Sequence, residues 1–250
     1  MIQRRIDRME SRVTILCCYN DKKQLDCFLE SLQKQDEKFK LLLIDNRKNK
    51  YNSCSEAFNK NLEKIKTEFV VFSHQDIVLT KPDQLRRFVD YLTAMGEDDI
   101  LGVAGGKRGE KYTITNICHG ASNKKAGGKQ LEGIAEVDVI DECFFGGSTK
   151  CFLNYPFDEK LCPGWHMYAV ERSLAALVRG DHVYVCDIEL EHRSKGKINH
   201  AYNVDFYNVS KRYEKKIDYL KTTCAYAKTR FPSREWAYLK REVSILLGRY

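Results

Sequence analysis

No stretch of the 250-residue chain approaches the roughly 18 consecutive apolar residues that a bilayer-spanning helix needs. The opening residues, MIQRRIDRMESR, are basic but lack the apolar core of a secretory leader, so the chain is expected to stay in the cytoplasm. No two of the ten cysteines stand as Cys-x-x-Cys, which argues against structural zinc. Several, such as Cys17 and Cys186, lie inside apolar runs, where reduced cysteine acts as a small buried hydrophobe; a reducing compartment fits this usage. Glycine is missing from the turn after the first apolar run, which reads Cys17-Cys18-Tyr19-Asn20, so a dinucleotide-binding Rossmann loop is excluded. Gly106-Lys107 has the look of a P-loop end, but Leu101 occupies the earlier glycine position and Arg108 the Ser/Thr position. Hydride transfer and ATP hydrolysis both lose support. No nucleic-acid-binding motif is recognisable either.

What is present is an ordinary globular composition, 43% hydrophobic and 31% charged, long enough for one large domain or a domain with a tail. The net charge of +7 is unevenly placed. From Arg193 onward fourteen Lys and Arg face five Asp and Glu, a balance of +9, while the preceding part carries −2. The basic character belongs to the tail.

The apolar pattern alternates between short continuous runs and helical stripes. Residues 12–18, 40–45 and 69–72 read as strands buried on both faces, as in a parallel sheet covered by helices. Leu25, Phe28, Leu29 and Leu32 recur at helical spacing between the first two; Ala57, Phe58, Leu62 and Ile65 do so between the second and third. Thr80 and Pro82 then open a helix carrying Leu85, Phe88, Val89 and Leu92, and Ile100–Ala104 is a fourth strand. Residues 105–133, with seven glycines, are expected to form a loop or hairpin around YTITNI. A strand from Val137 runs toward Asp141-Glu142 and a turn at Gly146-Gly147. A helix from Trp165 to Val178 is stopped by Gly180, and His182–Ile188 is the last strand. Two stripes follow in the tail: Val209, Tyr213, Ile217, Leu220, and then Trp236, Leu239, Val243, Leu246. Flanked by Lys211, Arg212, Lys215, Lys216, Lys240 and Arg241, they either lie on an anionic membrane surface or pack on their own domain; packing is the favoured expectation.

The stretch EFVVFSHQDIVLT is central. Its strand ends in Ser73-His74-Gln75-Asp76, and the carboxyl ends of strands in open α/β sheets form the ligand crevice. His74 and Asp76, two residues apart, point the same way if the path stays extended, which suits a metal or substrate site. The residues alone equally allow Asp76 merely to end the strand and His74 to be a surface residue.

The order of these pieces carries a resemblance. A strand ending in Tyr19-Asn20, one ending in Asp45, a helix with Asn59, the HQDIVL stretch, FDEKLCPGWHMYAVERSL and EHRSKG together resemble family 2 glycosyltransferases of the GT-A fold, in the bacterial branch where His-Gln-Asp replaces Asp-x-Asp. The resemblance covers about residues 12–196. It implies a mixed, mainly parallel α/β sheet flanked by helices over residues 1–196; the stripes and charges of the tail add a basic helical extension over 197–250. It also implies transfer from a nucleoside-diphosphate sugar, UDP- or dTDP-linked by preference, to a saccharide or lipid-linked acceptor in cell-surface polysaccharide synthesis, with a peripheral place at the inner membrane face as an expectation. Mn2+ or Mg2+ would be the cofactor, with Asp76 and His192 as metal residues. Tyr19, Asn20, Asp45, Asn59 and His74 are the implied nucleotide contacts. The Glu-Asp usual at the start of the late helix is missing, so the base is sought among Asp141, His166 and Glu171. Two other functions stay on the page: a sugar-nucleotide nucleotidyltransferase, which needs a glycine-rich basic loop after the first strand, and a nucleic-acid binder using the tail, although no nucleic-acid partner is expected.

Overall fold

The computed structural model describes residues 11–120, 124–126, 128–193 and 198–249. The expectation for the first residues and the end of EHRSKG lie outside them. Three parallel strands begin the fold: β1 (Val13–Tyr19) lies between β2 (Phe39–Asp45) and β3 (Phe69–Ser73), in a register that sets Tyr19 beside Asp45 and Cys17 beside Ser73. The connecting helices are α1 (Lys22–Leu32), capped by the Asp21 carboxylate on the amides of Lys23 and Gln24, and α2 (Cys54–Leu62), capped by Ser53. The sheet extends through β12 (Phe144–Ser148), β5 (Ile100–Gly102), β13 (Val183–Cys186) and β10 (Ile134–Glu136); only β12 and β10 run against the rest. The architecture is the expected mixed, mainly parallel sheet flanked by helices.

Strand side chains alternate between two cores, one on each sheet face. Val13, Ile15, Cys17 and Val71 pack with Phe28 of α1 and Phe88 of α3 (Gln84–Ala94), while Leu16, Val70 and Phe72 pack with Phe58 of α2 and Tyr168 of α5 (Tyr168–Arg179). Because both faces of β1 and β3 are covered, these two appear in the sequence as unbroken apolar runs; β2, expected to be buried in the same way, is the edge strand, and only Ile44 in it is buried. Phe72 lies 4.8 Å from Phe58 and 4.9 Å from Phe145, and Phe58 meets Tyr168 edge-on at 5.8 Å. Each such pair contributes roughly 0.5–1.5 kcal/mol beyond area burial, and together they fix the floor beneath the strand ends.

Three differences from the expected elements have physical causes. Gly146 and Gly147 lie within β12, where a Cβ on Gly146 would fall 2.3 Å from the Val70 carbonyl oxygen; glycine there permits close strand approach, not a turn. The run 100–104 breaks after Gly102, and β6 (Ala104–Gly106) joins a separate sheet between β7 (Ile114–Thr115) and β11 (Val139–Ile140). The late helix starts at Tyr168 because Met167 adopts φ 65°, a left-handed conformation that interrupts helical geometry.

A second small sheet is ordered β4 (Ile77–Leu79), β14 (Leu190–His192), β8 (Cys118–His119), β9 (Lys124–Lys125), and α4 (Thr149–Asn154) follows β12. In the C-terminal segment α6 (His200–Tyr213) leads into the hairpin of β15 (Tyr219–Lys221) and β16 (Tyr226–Lys228), then α7 (Ser233–Leu246). Tyr202, Phe206 and Val209 of α6 belong to the same core as Phe72 and Phe145. Leu220 is buried on β15, so the first tail stripe ends as a helix at Tyr213. Among the described residues no helix is long and apolar enough to cross a membrane.

Candidate active site

After β3 the chain turns through His74-Gln75-Asp76 and leaves the main sheet as β4. Its partner β14 runs antiparallel with His192 opposite Ile77, and β14 also pairs in parallel with β8, with His192 beside His119. This pairing carries His192 to the end of β3. Nε2 of His192 lies 3.4 Å from Oδ2 of Asp76, Nδ1 of His74 lies 3.9 Å from Oδ1, and one potential ligand atom from each of the three residues falls within 4.8 Å of the others. Two imidazoles and a carboxylate so gathered fit a divalent transition-type cation such as Mn2+. Tyr168 Oη, 3.2 Å from Nε2 of His74, fixes that ring from the aromatic floor. Burial opposes charging His192, but Asp76 and, further off, Asp141 outweigh it and hold its pKa above the ordinary value; for His74 burial wins and the pKa falls.

Gln75 has a different task. Its Oε1 accepts from the backbone amides of Asn20 (2.9 Å) and Asp21 (2.8 Å), and its Nε2 donates to Oδ1 of Asn20 (2.7 Å), so the β3 turn is tied to the β1 turn. Between them opens a cleft of about 220 Å³ lined by Tyr19, Asn20, Asn46, His74, Asp76, Trp165 and Tyr168, among others. Asp45, the residue beside Tyr19, is held by Arg47 through Nη2 at 2.6 Å and Nε at 3.0 Å, which drives its carboxyl far below the usual range. The same guanidinium covers the Tyr19 ring at 5.6 Å. Asn59 lines no part of this cleft: its amide donates to the Phe157 carbonyl and to Glu159 and accepts from the Phe157 amide.

A second cavity of about 380 Å³ adjoins the first, and His74 and Trp165 line both. Its walls include Asp141, Glu142, His166, His192 and His119, and from the C-terminal segment Tyr202, Thr223 and Cys224. Asp141 receives bonds from Thr223 Oγ1 (2.5 Å) and the Cys143 amide (3.0 Å); burial alone would raise its pKa, but these bonds and the nearby imidazoles leave it lowered. Glu142 behaves in the opposite way. Burial and the Asp141 charge push its carboxyl well above the usual range against bonds from the Met167 and Tyr168 amides at the start of α5, and its buried Oε1 has no hydrogen-bond partner. His166 stands edge-on to Tyr202 at 5.6 Å, and burial lowers its pKa, favouring the neutral ring. Glu171 lies elsewhere, one turn into α5, where its Oε1 accepts from Tyr213 Oη at 2.7 Å.

Of the residues singled out in the sequence, Tyr19, Asn20, His74 and Asp76 therefore meet at the first cleft, and Asp141, His166 and His192 at the second; Asp45 lines neither and is paired with Arg47, while Asn59 and Glu171 brace loops and helices. Sequence reasoning missed Glu142, His119, Tyr168 and Thr223. Glu142 follows Asp141 directly, so an acid pair was in view, but that both line one cavity with opposite pKa shifts depends on partners distant in sequence, Thr223 and the α5 start.

No curated protein matches the chain in sequence. In fold it is similar to S. aureus TarS 1-349 in complex with UDP-GlcNAc (15% identity, TM-score 0.55, 81% of this chain and 65% of that one), so it spans less than two thirds of the TarS chain. It is also similar to GalNAc-T7 with UDP, GalNAc and Mn2+ (10% identity, TM-score 0.57, 84% and 52%). A third likeness is to the mannosyltransferase PcManGT from Pyrobaculum calidifontis in complex with GDP-Man and Mn2+ (11% identity, TM-score 0.59, 97% and 76%). These likenesses identify the fold as GT-A. Residues 14–219, which include both cavities' histidines and acids, match the family model described as "Glycosyltransferase like family", and the chain belongs to that family.

Proposed function

We propose that the protein transfers a glycosyl group from a nucleoside-diphosphate sugar to a hydroxyl of a saccharide or lipid-linked glycan, with inversion, in cell-surface polysaccharide synthesis at the inner face of the membrane. The observation that carries this reading is the position of His74, which lines both cavities and belongs to the cluster with Asp76 and His192. A donor laid across that junction has its nucleoside in the smaller cleft and its sugar at the larger cavity.

Uracil or thymine fits the smaller cleft by stacking on Tyr19 once Arg47 swings off the ring, with Asp45 accepting from the base N–H. UDP- and dTDP-sugars are the favoured donors; TarS with UDP-GlcNAc and GalNAc-T7 with UDP support this choice, and the GDP-Man of PcManGT is the competing case. A cation, Mn2+ or Mg2+, held by Asp76 and His192 with His74 beside it, would neutralise diphosphate charge as the leaving group departs. In the transfer step the acceptor oxygen bonds to the anomeric carbon from the face opposite the diphosphate, the carbon–oxygen bond to the diphosphate breaks, and its electron pair leaves with the diphosphate. The hydroxyl proton passes to a base in the larger cavity. Glu142 is the first choice: one of its oxygens has no partner, and its raised pKa makes it the better proton acceptor once ionised. Asp141, bound by Thr223 and Cys143, is weakly basic; His166 is the second choice, and Glu171 is too engaged with Tyr213 to serve.

The test is a panel of UDP-, dTDP- and GDP-sugars incubated with the protein and Mn2+, read as nucleotide release with and without oligosaccharide acceptors. Release from UDP- or dTDP-sugars that Asp76→Asn abolishes supports the reading. No release from any donor, or release indifferent to Asp76, overturns it.

A further inference from the structure

We propose that the outward face of α7 is a docking surface for an anionic lipid bilayer. The helix is inside out. Its buried residues are Arg234 and Arg241, whereas Trp236, Leu239, Val243 and Leu246, spaced along one face, are 70%, 54%, 55% and 83% exposed. The expectation that this stripe packs on its own domain is thereby corrected, and the cause is the polar face's partners. Arg234 bonds Glu214, Glu235 and the Thr229 carbonyl; Arg241 bonds Oδ1 of Asn203 and covers the Phe206 ring at 4.2 Å. Glu235 also accepts from Tyr207, and Glu242 binds Asn203 and His200.

Charge selects the occupant. From Lys228 to Arg249 the acids are Glu235 and Glu242, and both are engaged by those partners. Apart from the buried Arg234 and Arg241, the other charged side chains of this segment, Lys228, Arg230, Lys240 and Arg249, are exposed and all basic. A bilayer supplies both complements: hydrocarbon for the aliphatic side chains, with Trp236 at headgroup depth, and lipid phosphates for the bases. A second copy would instead set Lys240 and Arg249 against the same groups across a two-fold contact. The packing also links docking to the site, since α6 and the β15–β16 hairpin, neighbours of α7, supply Tyr202 and Thr223 to the larger cavity. That link to a lipid-carried acceptor rests on the glycosyl-transfer reading; bilayer docking itself does not.

The experiment is flotation of the full chain with vesicles of phosphatidylcholine alone or mixed with phosphatidylglycerol, with no donor or acceptor present. The wild type is expected to float with the anionic vesicles and to detach in high salt. Leu239→Ser/Val243→Ser/Leu246→Ser and Lys228→Glu/Lys240→Glu are each expected to weaken binding by at least about tenfold at unchanged melting temperature, because all five positions are exposed. Absence of wild-type binding at low salt, or equal binding by the triple serine variant, overturns the proposal. So does a sedimentation result in which the stripe dimerises the chain, the serine variant becomes monomeric and no vesicle is bound. Nucleotide release measured in parallel separates the two readings: release without vesicle binding sinks docking alone, and vesicle binding without release sinks the transfer reading alone.

Discussion

Nε2 of His192 lies 3.4 Å from Oδ2 of Asp76, although one residue ends β14 and the other only follows β3. The pair is held by the β4–β14 ladder, in which the Arg193 amide also donates to the Asp76 carbonyl at 3.0 Å. Because that ladder is backbone-made, side-chain substitutions at the cluster should change chemistry more than fold. His192→Ala is expected to lower transfer by about tenfold and to raise the Mn2+ concentration giving half-maximal rate. Wild-type Mn2+ dependence in that variant would remove His192 from the cluster's function.

Gln75 predicts a different outcome. Removing its amide strips partners from the Asn20 and Asp21 backbone amides and from the Asn20 side chain. Gln75→Ala should cost about 1–2 kcal/mol of stability, since a net hydrogen bond contributes about 1 kcal/mol, and should weaken nucleotide binding as the β1 turn loosens. Urea unfolding together with nucleotide titration checks both; a change in stability without any change in nucleotide affinity would mean that the turn is not part of the nucleotide cleft.

The base is separable by pH. A carboxyl raised by burial and by the Asp141 charge must lose its proton before it can accept one, so kcat/KM falls as pH drops through the Glu142 pKa, and this limb lies above the ordinary carboxylate range. Glu142→Gln should lose rate at every pH, by about a hundredfold or more, while His166→Gln keeps the limb. A limb that vanishes only in His166→Gln would transfer the role to His166.

Asp205, whose charge also reaches Glu142, offers a test read in stability instead of rate. Burial lifts its pKa to about 6, and its Oδ2 has no hydrogen-bond partner. The folded state then binds more protons than the unfolded state between the ordinary value and about 6, so stability falls as pH rises through that window. Asp205→Asn should raise stability at pH 7 by up to roughly 2–3 kcal/mol, with the gain fading toward pH 4. An equal gain at both pH values would refute the electrostatic cause.

The sequence showed the elements more readily than their partnerships. Continuous runs such as FVVFS announce strands covered on both faces, and Leu25, Phe28 and Leu32 announce a helix on one of them, because burial leaves a local period. The strand-end position of Tyr19, His74 and Asp76 followed from those runs. Non-local pairing leaves no such trace: nothing near Thr223 indicates that it bonds Asp141, and nothing in Glu142 distinguishes it from its neighbour. The stripe Trp236, Leu239, Val243, Leu246 defines a helix face, but the direction it points was decided by Glu214, Asn203 and Phe206 holding the two arginines inward. Gly146-Gly147 illustrates the same limit, since close strand approach and a turn both select glycine.

If Asp76 joins a divalent cation to a nucleoside diphosphate at the end of β3, calorimetric titration of UDP into wild type and Asp76→Asn, with and without Mn2+, will show it. Mn2+ is expected to tighten UDP binding by at least about tenfold, or 1.4 kcal/mol, in the wild type and to have little effect in the variant. Equal tightening in both proteins, or no UDP binding by the wild type in Mn2+, would contradict it.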